Sequence, residues 1–173
     1  MALIGGGVIG GGWAARFLLN GIDVNVFDPS DSAERSLNEM LSNARRAYPK
    51  LTMAPLLKPG KLVFLDSLEK AVQDVEFVQE SAPERLEMKH KIFAEIQSHC
   101  RKDALIGSST SGFKPSELQQ GALRPNQIFV AHPFNPVYLL PLIELVGDDA
   151  TTTRAQAVLT EIGMKPLILA DIA

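Results

Sequence analysis

The sequence is poor in cysteine. Cys100 stands alone among 173 residues, which excludes an internal disulfide and a thiolate metal cluster. An excess of either charge is also missing: 17 Lys and Arg face 20 Asp and Glu, a formal net charge of −3, and the pI is about 5.6. Nothing in that balance suits nucleic acid or an anionic membrane. No apolar run approaches the length of a membrane span. No charged and then apolar leader precedes the first strand-like segment, so a signal peptide is not expected and the cytoplasm is the default compartment. His90 and the pair His99-Cys100 have no second cluster at ligand spacing, so no metal is expected. Repeats, low-complexity segments and linkers are absent too. What remains is ordinary for a globular chain, 46% hydrophobic and 21% charged residues, at a length that suits one domain with a real core.

The first ten residues carry the strongest signal. Gly5-Gly6-Gly7-Val8-Ile9-Gly10 follows a short apolar run at 2–4 and opens a helical pattern. Asp28 ends the next apolar run. Strand, glycine turn, helix, strand and acid together form the dinucleotide-binding fingerprint in its required context. Gly5 allows the tight turn, Gly7 lets the backbone approach a pyrophosphate, and Gly10 lets the helix pack on the sheet. The helix N-terminus offers free N–H groups to phosphates. Asp28 is expected to accept hydrogen bonds from an adenosine ribose and to repel a 2′-phosphate. No Lys or Arg lies between Asp28 and Arg35, so the cofactor reads as NAD rather than NADP.

Downstream, apolar runs alternate with helical patterns. Helices are expected at 8–20, 32–47 (capped by Ser30 or Asp31), 67–72 and 83–98, the last with Pro83 in its first turn. Strands are expected at 24–27, 62–65, 75–78, 104–107, 128–131 and 166–169, with a loop at 48–61. Residues 115–120 read as one or two helical turns. Thr151 to Thr153 would cap a last helix, closed by Gly163. Such alternation predicts an α/β fold, a Rossmann-like and mostly parallel sheet with helices on both faces. An antiparallel strand or two is expected at the C-terminal end, where the Asn135-Pro136 turn precedes the apolar run at 139–146.

The carboxyl ends of parallel strands face the ligand crevice. Ser108 to Ser111 follows one strand and His132 the next, so both reach that crevice. If the chain reverses at Asn135-Pro136, Glu144 returns beside His132. Glu144 sits amid Leu142, Ile143, Leu145 and Val146, and a carboxylate in a buried strand needs a partner. An imidazole held by a carboxylate is what oxidation of an alcohol requires, because a base must remove the hydroxyl proton. Trp13 on the first helix reads as core.

These segments resemble the N-terminal domain of the L-3-hydroxyacyl-CoA dehydrogenase family, over essentially the whole chain. The resemblance implies a catalytic His132–Glu144 dyad, a Ser111 that touches substrate and nicotinamide, and an Asn135 beside the reacting group. It also implies that Glu84 and Lys89 lie on the cofactor. Gln79 to Arg85, Ser108 to Phe113 and Ala131 to Tyr138 are closer to the branch acting on L-carnitine, which implies NAD-dependent oxidation of its 3-hydroxyl to 3-dehydrocarnitine. Phe134, Tyr138 and Phe113 are then candidates to face a trimethylammonium group. Arg45, Arg46, Lys58 and Lys61 leave a CoA ester open. The alternatives are a 3-hydroxyacyl-CoA or L-gulonate dehydrogenase of the same family, or a non-catalytic NAD-binding protein like the lens crystallin relatives. The family has a second, helical domain that completes the cleft and makes most of the dimer contact. These 173 residues are therefore expected to bind NAD yet turn substrate over poorly, and the full-length protein is expected to be a homodimer.

Overall fold

A computed structural model describes residues 1–51 and 55–170; the middle of the expected 48–61 loop, residues 52–54, lies outside the described residues. Eight strands, β1 (Ala2–Ile4), β2 (Val24–Phe27), β3 (Leu62–Phe64), β4 (Phe77–Glu80), β5 (Leu105–Ser108), β6 (Ile128–Pro133), β7 (Leu142–Val146) and β8 (Lys165–Ile168), form one sheet. Their order is β3-β2-β1-β4-β5-β6-β7-β8. The first six are parallel neighbours, β7 runs antiparallel to β6, and β8 is parallel to β7. The predicted class, including the reversed C-terminal edge, is the one observed.

Among the described residues, six α-helices cover the sheet: α1 (Val8–Leu19), α2 (Ala33–Ala47), α3 (Leu68–Val72), α4 (Leu86–His99), α5 (Pro115–Leu118) and α6 (Asp149–Glu161). Successive strand residues point to opposite faces, which splits the core in two. Leu3, Val24, Val26, Phe77, Phe129 and Leu145 pack with Trp13 and Phe17 of α1, Leu37 and Leu41 of α2 and Leu159 of α6. Ala2, Ile4, Val78, Ile106 and Val130 pack with Val72 of α3, Phe93 and Ile96 of α4 and Leu118 of α5. An aromatic chain, Trp13–Phe17–Phe77–Phe129, runs through the first layer with ring centroids 5.4 to 6.2 Å apart. Each such buried ring contributes about 1.5–3 kcal/mol by area alone. No helix among the described residues is long and apolar enough to cross a membrane.

Several boundaries differ from expectation, each for a physical reason. β4 runs two residues later than 75–78, because its parallel ladder with β1 pairs Ile4 with Glu80. That pairing draws two polar residues, Gln79 and Glu80, fully into the sheet. α4 starts at Leu86, not Pro83, since Pro83 and Glu84 belong to the turn that leaves β4. The residue before α2 is Ser32 rather than Ser30 or Asp31, and it makes no side-chain cap. Asp148, not the threonines, caps α6 by accepting from the N–H groups of Ala150 and Thr151. His132 lies inside β6 rather than after it.

Candidate active site

The glycine turn joins β1 to α1 at the carboxyl edge of the sheet. Gly5 has φ of +99°, and a Cβ there would sit 2.7 Å from the Ser81 carbonyl oxygen. A Cβ on Gly10 would overlap the Gly5 carbonyl oxygen at 1.9 Å. Those two glycines are demanded by the fold itself. Gly7 is different: a Cβ there meets nothing within 4 Å. Space left open in front of Gly7 is a cradle that packing does not explain. No side chain caps α1, and its first turn carries no acid, so the N–H groups around exposed Val8 and half-buried Ile9 keep their capacity for an anion. Asp28, at the end of β2, accepts from Gly6 N at 2.6 Å and Ser30 N at 2.8 Å. Each carboxylate oxygen has a second lone-pair direction, so Asp28 shapes the turn and retains capacity for ribose hydroxyls. The turn and its acid fit the pyrophosphate and ribose of a dinucleotide.

Across the sheet, β6 and β7 place His132 opposite Glu144 in register. Nδ1 of His132 lies 3.0 Å from Glu144 Oε2, with the two side chains 31% and 34% exposed. An ionised carboxylate can only accept, so Nδ1 carries the proton and Nε2 is the nitrogen left to act as a base. The 134–141 connection is held from behind by Arg16 of α1. Its Nε and Nη2 donate to the Val137 carbonyl at 3.3 and 3.0 Å. Asn135 and Phe134 are exposed on this connection, with the Phe134 ring 5.8 Å from that of His132.

The loop after β5 is fastened by Glu84. Its Oε1 accepts from the Thr110 hydroxyl, from Ser111 N at 3.2 Å and from Gly112 N at 3.2 Å. Burial alone would raise the Glu84 carboxyl, but the Thr110 hydroxyl, the Lys89 ammonium and the Gly112 N–H outweigh it and hold it below the ordinary glutamate range. Lys89 is itself buried on α4. It donates to both oxygens of buried Glu80 at 2.8 and 3.0 Å and lies 3.3 Å from Glu84. Glu80 also accepts from Ser108 Oγ at 2.5 Å and Ala82 N at 2.7 Å. Glu84 and Lys89 thus meet, though not as a pair along one helix, and their observed partners are protein groups. No hydrogen bond joins exposed Ser111 or Asn135 to His132 among the described residues.

Sequence reasoning missed the polar cluster beneath this loop. Ser109 Oγ accepts from Gln79 Nε2 at 2.8 Å and from the Trp13 indole N–H at 3.3 Å, and lies 2.9 Å from Ser81 Oγ. The only signal for it was the polarity of Gln79 within an apolar run.

A family model, described as the NAD-binding domain of 3-hydroxyacyl-CoA dehydrogenase, matches residues 1–172. The chain belongs to that family. Within the 3-hydroxyacyl-CoA dehydrogenase family it is 58% identical over 170 residues to an L-carnitine dehydrogenase/betainyl-CoA thioesterase of Ruegeria pomeroyi, covering 96% of this chain and 35% of the relative. It is 51% identical over 173 residues to an L-carnitine dehydrogenase of Mesorhizobium japonicum, covering 97% of this chain and 48% of the relative. The chain therefore spans half the length of these curated relatives or less. Among solved structures, FHMPC 5-dehydrogenase, an NAD+ dependent dismutase, superposes with a TM-score of 0.89 at 28% identity, over 96% of this chain and 56% of the other.

Proposed function

We propose that this domain serves NAD-dependent oxidation of the 3-hydroxyl of L-carnitine to 3-dehydrocarnitine, as the cofactor-binding half of the site. The observation that carries the chemistry is the His132–Glu144 pair. Its bonded Nδ1 leaves Nε2 to take the hydroxyl proton, and Glu144 stabilises the imidazolium that results. Ser111 and Asn135 hold the substrate oxygen as it becomes a carbonyl. A bound NAD supplies the hydride acceptor. Gly5, Gly6, Gly7, Val8, Ile9 and Gly10 hold its pyrophosphate, and Asp28 its adenosine ribose. Glu84 and Lys89 contribute by fixing the loop that carries Ser111.

The choice of substrate rests on the two L-carnitine dehydrogenase relatives and on exposed Phe134 beside His132, an aromatic face suited to a trimethylammonium group. A quaternary ammonium has no N–H to donate and is attracted instead to an aromatic face, whereas a 3-hydroxyacyl-CoA carries no such cation. The test is NADH formation by the full-length protein with L-carnitine, D-carnitine, L-gulonate and 3-hydroxybutyryl-CoA in parallel. L-Carnitine is expected to be the preferred substrate. Turnover of the CoA ester alone would overturn the assignment.

A further inference from the structure

Ser81 is the first residue after β4, where the turn leaves the strand at the carboxyl edge of the sheet. Its backbone N–H donates to Ile4 O at 2.8 Å, and its carbonyl lies against Gly5, within 2.7 Å of where a Cβ would stand. It is half-buried. Strand order makes the location informative. β1 and β4 are neighbours, yet the chain leaves β1 toward β2 on one side and β4 toward β5 on the other, which marks the switch point where ligands bind in open sheets.

The direction of its hydroxyl follows from counting protons. Ser109 Oγ has two lone pairs and one proton. The Trp13 indole can only donate, and it donates to Ser109 at 3.3 Å. Gln79 Nε2 donates to Ser109 at 2.8 Å and to the Ala131 carbonyl at 3.3 Å. A carbonyl can only accept, so the Ala131 oxygen fixes which end of the Gln79 amide faces this cluster. Both lone pairs of Ser109 are then used. Its proton must go to Ser81 Oγ, 2.9 Å away. Ser81 accepts, and its own O–H is left as a donor with no partner among the described residues. Trp13, Gln79 and Ser109 act together as positioning residues that turn the Ser81 hydroxyl outward.

A dinucleotide whose ribose sits on Asp28 of β2 and whose pyrophosphate sits on the turn after β1 must cross β4 to reach Ser111 and His132 at β5 and β6. Ser81 stands on that path. The geometry points to Ser81 as a further cofactor-binding residue, its hydroxyl donating to an acceptor oxygen of the ribose–phosphate on the nicotinamide side of NAD. This rests on the NAD assignment but not on the identity of the substrate.

The test is a set of binding titrations on this 173-residue chain, read by the emission of Trp13, the single tryptophan of these residues, which adjoins the cluster. The ligands are NADH, ADP-ribose, ADP and AMP. Loss of one neutral hydrogen bond predicts that Ser81→Ala weakens NADH and ADP-ribose by about three- to tenfold, with AMP unchanged. An equal loss with ADP assigns the contact to the phosphate; no loss with ADP assigns it to the ribose. Ser81→Cys fills the same space but donates poorly, so it is expected to behave like Ser81→Ala and gives a second reading should one variant fold badly. Two results would overturn the proposal: NADH affinity within about twofold of the parent in both variants, or AMP weakened as much as NADH. An unaltered chain that failed to bind NADH would overturn both this contact and the NAD assignment, whereas normal NADH binding by the variants would remove the contact alone.

Discussion

His132 holds Glu144 through Nδ1, so its chemistry is confined to Nε2; Gly7 faces open space, so its missing side chain matters only to a ligand. These two residues show how a single position separates folding from function. Gly7 has φ of −66° and ψ of −162°, a backbone any residue adopts, and a Cβ there would touch nothing. Gly7→Ala should therefore cost no more than the roughly 1 kcal/mol of replacing a helix N-cap by alanine, while a methyl set against the pyrophosphate weakens NADH by about tenfold or more. A thermal melt and an NADH titration on the same sample check both halves. This level was also the most legible in the sequence. The glycine turn is a local backbone requirement, and Glu144 in an apolar run announces a need for a partner. The Ser81 hydroxyl was not legible, because its direction depends on protons held by Trp13, Gln79 and Ser109, residues up to 96 positions apart.

At the scale of elements, the loops of the crevice are held by charges hidden beneath them. β4 ends in Glu80, which is fully buried and shares its carboxylate among Lys89, Ser108 and Ala82. Lys89→Met would strand that carboxylate in the interior and should cost about 3–5 kcal/mol, measured by urea unfolding. The double change Glu80→Gln with Lys89→Met should recover most of the loss. Sequence periodicity misplaced β4 for this very reason: polar residues read as the end of a strand when they are in fact its paired, buried end. The start of α4 was misplaced for another, because Pro83 suits a first helical turn but lies in the turn that leaves β4. Glu84 adds a pH dependence. Its folded carboxyl lies below the ordinary glutamate value, so the unfolded state binds the proton first as the medium acidifies. Its contribution is complete above the ordinary glutamate range and disappears as pH falls through the lowered folded value. Hydrogen exchange at the Ser111 and Gly112 amides should be pH-independent in protection near neutrality and lose protection in acid. In Glu84→Gln that acid-dependent loss should vanish.

At the scale of the molecule, strand order does the assembling. Parallel β1 to β6 bring the glycine turn, Asp28, Ser81 and the Ser108–Gly112 loop to one edge of the sheet. The antiparallel pairing of β6 with β7 then sets Glu144 against His132. Alternation of strands and helices made the sheet class readable, and Asn135-Pro136 made both the reversal and the return of Glu144 to His132 readable; the folded ladder adds the register, 132 directly opposite 144. On the proposed function, this edge binds NAD and supplies a histidine base for a 3-hydroxy substrate. The most direct test of that function is the turnover of L-carnitine by His132→Ala in the full-length protein, with NADH affinity measured alongside. In that variant kcat should fall by about 10²–10⁴-fold while NADH affinity stays within about twofold. An unchanged kcat would contradict the proposed function.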